Sequence, residues 1–122
     1  MQYLLLIHTD EKAFAAMSEQ DLAELIQEYG AFTSALRESG AYVGGNQLQP
    51  TSAAATVRVR DGEEVVTDGP FAETKEQLGG FFLIEAGSTE EAVAWAARVP
   101  AARYGSVEVR AVVPVRAEAA SA

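Results

Sequence analysis

Gly80-Phe81-Phe82-Leu83-Ile84-Glu85-Ala86, followed at once by Gly87-Ser88-Thr89-Glu90-Glu91, is the stretch on which the fold turns. The first seven residues form an apolar run too short for a helix and bounded by glycine. That pattern predicts a strand buried on both faces. Ser88 with Glu91 three residues later is a capping box, in which the hydroxyl and the carboxylate satisfy backbone N–H groups at a helix start. The helix it opens carries Ala92, Val93, Trp95, Ala96 and Val99 and is stopped by Pro100. A last strand is predicted over Ser106 to Val113, alternating at first as Val107, Glu108, Val109, Arg110.

Upstream, the same order occurs once before. Tyr3 to His8 is a second continuous apolar run, ending in the polar turn Thr9-Asp10-Glu11. Ser18 is an N-cap, and Glu19 and Asp21 place negative charge in the first helical turn, where the helix dipole favours it. Leu22, Leu25, Ile26, Tyr29, Phe32 and Leu36 then recur at helical spacing, and Gly40 supplies a left-handed stop. Gly44-Gly45 and Pro50 mark an irregular connection. Thr56 to Arg60 alternates strictly, and Glu64 to Thr67 follows the turn Asp61-Gly62, predicting a hairpin.

Strand, helix, strand with a hairpin partner, strand, helix, strand is the split βαβ order. It predicts an α+β, ferredoxin-like βαββαβ antiparallel sheet with two helices on one face. Tyr3 to Ile7 and Phe81 to Ile84 read as the central strands, and the alternating runs at Thr56 and Val107 as the edges. Two helices cover only one face of such a sheet. The other face keeps apolar groups from the central strands, and contiguous apolar patches mark interfaces. The expectation is a homodimer with the sheets face to face, closed into an α+β barrel. One domain spans residues 1–115, and residues 116–122, small and polar, are expected to fray.

Composition narrows the chemistry. The 122 residues contain no cysteine, which removes disulfides, thiolate catalysis and thiolate metal sites together. His8 is the single histidine, so a multi-histidine zinc site is excluded. Eighteen acidic and nine basic residues leave a net charge of −9, which disfavours direct binding to nucleic acid or to an anionic membrane. Met1 to Ile7 lacks the basic start and cleavage site of a signal peptide, and no run approaches the roughly 20 apolar residues that cross a bilayer. The chain therefore reads as soluble and cytoplasmic, with no cofactor expected.

The most distinctive segment is Thr67-Asp68-Gly69-Pro70-Phe71-Ala72-Glu73-Thr74-Lys75-Glu76-Gln77-Leu78-Gly79-Gly80. Asp68-Gly69-Pro70 specifies a tight turn, and Glu73, Lys75 and Glu76 crowd a short polar stretch read as one helical turn. Two readings stand side by side. The segment is a structural loop with self-satisfied charges, or Asp68, Glu73 and Lys75 line a pocket at the mouth of a dimer cleft with Phe71 as an apolar contact. His8 lies on the same side of its strand as Leu4 and Leu6. Imidazole ordinarily titrates near neutrality, so His8 is a general acid–base candidate, with Asp68 as partner if the loop folds over it. The bland alternative is a histidine bonded to backbone or solvent. Arg58, Arg60, Glu108 and Arg110 read either as ion pairs rimming an interface or, for Arg58 and Arg110, as a grip on a small anionic ligand. No phosphate-binding loop, nucleophile elbow or paired-histidine helix is present.

Asp68-Gly69-Pro70-Phe71 with Glu73, Thr74, Lys75, Glu76 and Gly79-Gly80 resembles the signature of the YCII-related family, DGPF-motif type. Matches at Tyr3 to Ile7, at Gly44-Gly45 with Leu48 and Pro50, and at Pro100-Ala101 through Gly105 to Arg110 extend the resemblance to about Val113. It implies a ferredoxin-like fold that dimerises into an α+β barrel, in a bacterial setting. Some broader relatives are dehydrochlorinase-type lyases whose histidine lies on the first helix. That stretch here holds Tyr29 and Phe32, so their His–Asp dyad does not carry over. Relatives are often encoded beside, or fused to, extracytoplasmic-function sigma factors, which implies an accessory partner role in such a pathway. The favoured expectation is a small-molecule-binding or accessory protein. The alternative is a cofactor-free lyase or isomerase acting on a small carboxylated or cyclic substrate, with His8, Asp68 and Glu73 as catalytic candidates. A purely structural dimer module is the third.

Overall fold

A computed structural model describes residues 1–115, and the frayed end expected at residues 116–122 lies outside the described residues. Strand β1 (Gln2–Thr9) is central, as expected, but it is not buried on both faces as its continuous apolar run suggested. Tyr3, Leu5 and Ile7 are buried on one side, and Leu4, Leu6 and His8 are half-buried on the other, which no helix among the described residues covers. Where the sequence suggested only a turn, Asp10 caps a short helix α1 (Glu11–Ala15) by accepting from the Lys12 N–H at 3.0 Å. Helix α2 (Glu19–Ser39) starts at Ser18, whose hydroxyl accepts from the Asp21 N–H at 3.1 Å, and ends at Gly40 with φ at 81°. Leu25, Phe32 and Leu36 form its buried stripe. Ile26, one residue round from Leu25, lies off that stripe and is 64% exposed, against the expectation that it joined the core.

The edge strand after α2 is not the one expected. Tyr42–Gln47 forms β2 and pairs antiparallel with β5 (Gln77–Glu85). Thr56 to Arg60 instead belongs to β3 (Ala55–Arg60), which pairs only with β4 (Glu63–Asp68) in a separate two-stranded sheet. The misreading has a physical source. Gly44-Gly45 looks like a breaker, yet a Cβ on Gly45 would sit 2.8 Å from both the Phe81 carbonyl oxygen and the Phe82 ring. Glycine here admits a close strand-to-strand approach. The hairpin itself follows its turn chemistry, with Asp61 and Gly62 both at positive φ (53° and 78°), as a two-residue primed turn requires. Residues 73–76 do not form the helical turn expected there: the chain is irregular at 73–74 and bends at 75–76.

The capping box at Ser88 opens α3 (Thr89–Arg98): the Ser88 hydroxyl accepts from the Glu91 N–H at 3.2 Å, and Glu91 Oε2 accepts from the Gly87 N–H at 2.7 Å. After a 3₁₀ turn over Pro100–Arg103 comes β6 (Ser106–Ala111). The main sheet runs β2-β5-β1-β6, antiparallel throughout, with the two continuous apolar strands in the middle. This is an α+β fold of ferredoxin-like topology. Its core lies between one sheet face and the helices, built from Tyr3, Leu5, Ile7, Phe32, Leu36, Ile84, Ala92, Ala96 and Val99. Phe32 stands edge-on to Phe82 at 5.1 Å and to Trp95 at 6.1 Å, while the alanines of α3 let that helix approach. Each fully buried Leu or Ile contributes about 1.5–3 kcal/mol. No helix among the described residues is long and apolar enough to cross a membrane.

Candidate functional site

Strand parity places the chemistry. Opposite Leu4, Leu6 and His8 on β1 lie Arg110, Glu108 and Ser106 of β6, and on the other side Leu83, Phe81 and Leu78 of β5. Side chains alternate, so all of these lie on the sheet face away from the helices. That face has an apolar middle of Leu4, Leu6, Phe81 and Leu83, half-buried by their own neighbours. At one border stands a polar cluster, with His8 Nε2 3.7 Å from Glu108 Oε1.

Arg110 donates to the same carboxylate, from Nε at 3.0 Å and also from Nη2. That hydrogen bond is the main cause holding the Glu108 carboxyl below its ordinary value of 4.5, with the charges of Arg110 and His8 adding to it. Ser106 Oγ donates to Glu76 Oε1 at 2.8 Å and so ties the loop before β5 to the start of β6. Gln77 fixes the same loop: its Oε1 accepts from the Glu11 N–H at 2.9 Å, and its Nε2 donates to the Thr74 carbonyl at 2.5 Å. A Cβ on Gly105 would overlap the His8 carbonyl oxygen, so the chain before β6 passes close against the His8 backbone.

The candidates from sequence divide into two groups. His8 and Arg110 meet at Glu108. Among the described residues no hydrogen bond or ion pair joins His8 to Asp68. Asp68 ends β4 opposite Ala55, Arg58 lies on β3 opposite Val65, and both are exposed. Phe71 is 81% exposed in the loop that leaves the hairpin, and Glu73 and Lys75 are exposed further along it. Ser106 and Glu76 were not singled out as site residues. Their signal was the alternation of β6, which sets Ser106, Glu108 and Arg110 on one side, and the antiparallel register that brings Ser106 opposite His8.

The arrangement is an open shelf. The His8 side chain is 31% exposed and that of Glu108 41%, so water reaches both. A solvent-reached imidazole can exchange a proton with a bound molecule, and the nearby guanidinium offers donors to an anion. Cavities of about 380 Å³ and 310 Å³ lie elsewhere. The first adjoins Met1, Gly40, Glu85 and Trp95, the second Glu28, Phe32, Val99 and Arg103. Neither includes a residue singled out as a site candidate from sequence. Among the described residues no group of three His, Asp or Glu side chains is placed to hold a metal ion.

The model of the YCII-related domain matches residues 1–116. An uncharacterized protein of Rhizobium meliloti (strain 1021) is 41% identical over 112 residues, covering 90% of this chain and 90% of that one. With a match across nearly its full length, this chain belongs to the YCII-related family.

Proposed function

We propose that the protein is a homodimeric small-molecule-binding or accessory protein whose ligand lies on the open sheet face, beside His8, Glu108 and Arg110. The observation that carries this reading is the pairing of His8 with Glu108 at 3.7 Å on the border of an otherwise apolar face. An apolar surface of that extent argues for a second copy over it. The polar border then becomes the place where a small anionic ligand is gripped between the copies. The accessory role includes the sigma-factor pathway implied by the family resemblance. With a net charge of −9, any regulatory effect passes through a ligand or protein contact and not through DNA.

A second reading has its own observation. His8 stands on a water-accessible border with the Glu108 carboxylate 3.7 Å from its Nε2, a charge contact longer than a hydrogen bond, and a solvent-reached imidazole can carry a proton. It supports a cofactor-free lyase or isomerase with His8 as acid–base group. Asp68 and Glu73 enter this reading only if a second copy or a loop movement brings them to the face.

His8 is the single histidine, so its ring resonances report on the site alone. The test is NMR titration of those resonances with malonate, benzoate and a lactone carboxylate. A saturable shift that Arg110→Ala weakens is the expected result. Unmoved resonances with all three would refute ligand binding at this border. A ligand that is consumed by the wild type and left intact by His8→Ala would establish the second reading over the first.

A further inference from the structure

Among the described residues, the hairpin β3–β4 pairs with no strand of the main sheet. Its register pairs Val57 with Val66 and Val59 with Glu64, so Ala55, Val57, Val59 and Val66 share one side, while Arg58, Arg60, Glu63 and Val65 share the other. Eleven of its twelve strand residues are exposed, including Val57 (58%), Val59 (62%) and Val66 (54%). No helix and no strand of the main sheet packs extensively against it. A lone two-stranded hairpin is marginal in water and needs a third strand or a packed face to be stable.

Among the described residues the molecule carries two uncovered apolar surfaces, the valine side of the hairpin and the open face around Leu4, Leu6, Phe81 and Leu83. They lie on separate sheets.

We propose that the hairpin is an exchanged arm: each copy of the chain lays the valine side of its hairpin against the open sheet face of the other. A two-fold arrangement satisfies both surfaces of both copies at once, as isologous dimers do. The reach is sufficient. Six residues of strand extend about 20 Å, and the outer strands of a four-stranded sheet lie about 14 Å apart. The arm is rooted where β5 begins, and Gln77 and Leu78 of β5 pair with Thr9 and His8. It therefore leaves the sheet at the end that holds the polar cluster. This rests on the homodimer reading above and goes beyond it. It names the element that covers the partner's face and makes the shelf beside His8 complete only when a partner's arm is present.

The absence of cysteine allows a direct experiment. One chain carries Val57→Cys, a second, size-tagged chain carries Leu83→Cys, and the mixture is treated with a short bismaleimide. A linked species of mixed mass, absent when either cysteine is left out, is expected. Sedimentation of a Val57→Asp/Val66→Asp variant complements it. Placing carboxylates in the contact should raise the dimer dissociation constant at least about 100-fold, with the far-ultraviolet spectrum of the main sheet retained. A wild type that sediments as a dimer but gives no mixed link overturns the arm and leaves the homodimer standing. A wild type that sediments as a monomer overturns both.

Discussion

Tyr3, Leu5 and Ile7 on β1 and Val57 and Val59 on β3 obey the same alternation, yet the first three are 7% exposed or less and the two valines 58% and 62%. The strands differ on their second side, where β1 carries Leu4 and Leu6 and β3 carries Thr56, Arg58 and Arg60, but each offers one apolar side. What separates those two sides is what the chain carries next to them. Helix α3 follows β5 after three residues and α2 follows β1 after the short α1, and both fold back on one sheet face, where Leu5 and Ile84 are buried in one cluster with Leu36 and Ala92. The hairpin is flanked by a 3₁₀ turn and a polar loop, neither of which carries an apolar stripe to cover it. Alternation states that one side of a strand is to be covered. It does not say whether the cover lies in the same molecule.

The contrast should break most sharply in the core. Leu5→Ala removes a fully buried side chain and is expected to cost about 3 kcal/mol, lowering the melting temperature by roughly 15 °C. Val57→Ala, measured in protein dilute enough to be monomeric, should cost less than about 0.5 kcal/mol. A large loss at Val57 in the single chain would mean the hairpin is packed after all. The two neighbouring glycines of β2 sharpen the edge of the sheet. Gly45→Val forces a Cβ against Phe81 and Phe82 and should cost about 2–3 kcal/mol in chemical denaturation. Gly44→Ala meets nothing within 4 Å and should stay within about 0.5 kcal/mol.

Titration separates the covered face from the open one. Burial, with the neighbouring Tyr104 adding to it, pushes the Tyr29 phenol up from 10.0 to about 12. The folded state then holds a proton that the unfolded state releases, so stability is complete below pH 10.0 and falls as pH rises towards about 12. The loss should be no more than about 2 kcal/mol once solvent screening is allowed for, and Tyr29→Phe should remove it from a urea-midpoint profile. Ser88→Ala, which deletes the cap of α3, should cost about 1 kcal/mol in thermal melts. The smallest effect belongs to the open face. Glu108 has a depressed carboxyl pKa, so its contribution is present above the ordinary value and is lost as pH falls through the lowered one. Arg110→Ala should move that titration upward in carboxyl-carbon NMR while leaving the melting temperature nearly unchanged. An unmoved titration would show that Arg110 does not hold the carboxylate.

Much of the fold was legible because it rests on short-range physics. Ser18 and Ser88 cap helices through bonds three residues long, Gly40 ends one in the left-handed conformation, and the Leu25–Phe32–Leu36 stripe needs only helical spacing. The two continuous apolar runs read as central strands, and they are. The edge strand was not legible. Gly44-Gly45 carries no hydrophobic pattern, and its role appears only when Phe82 lies over it, while Thr56 to Arg60 shows the stronger alternation yet stands in a separate sheet. The short helix α1 was missed because five residues are too few to show a period.

For the site, the sequence by itself determined that the chemistry lacks thiols and multi-histidine metal centres, that His8 shares a side with Leu4 and Leu6, and that Glu108 and Arg110 share one with each other. These follow from composition and from the two-residue period of a strand. Only the tertiary structure decided that His8 meets Glu108, that Asp68 and Arg58 ride on a hairpin apart from the main sheet, and that Ser106 and Glu76 join the border. The physical reason is register. β1 and β6 lie about a hundred residues apart in the chain, and a slip of one position would turn His8 and Glu108 to opposite faces. That register is set by the packing of Leu5, Val107 and Val109 beneath the helices, a condition the whole core imposes at once.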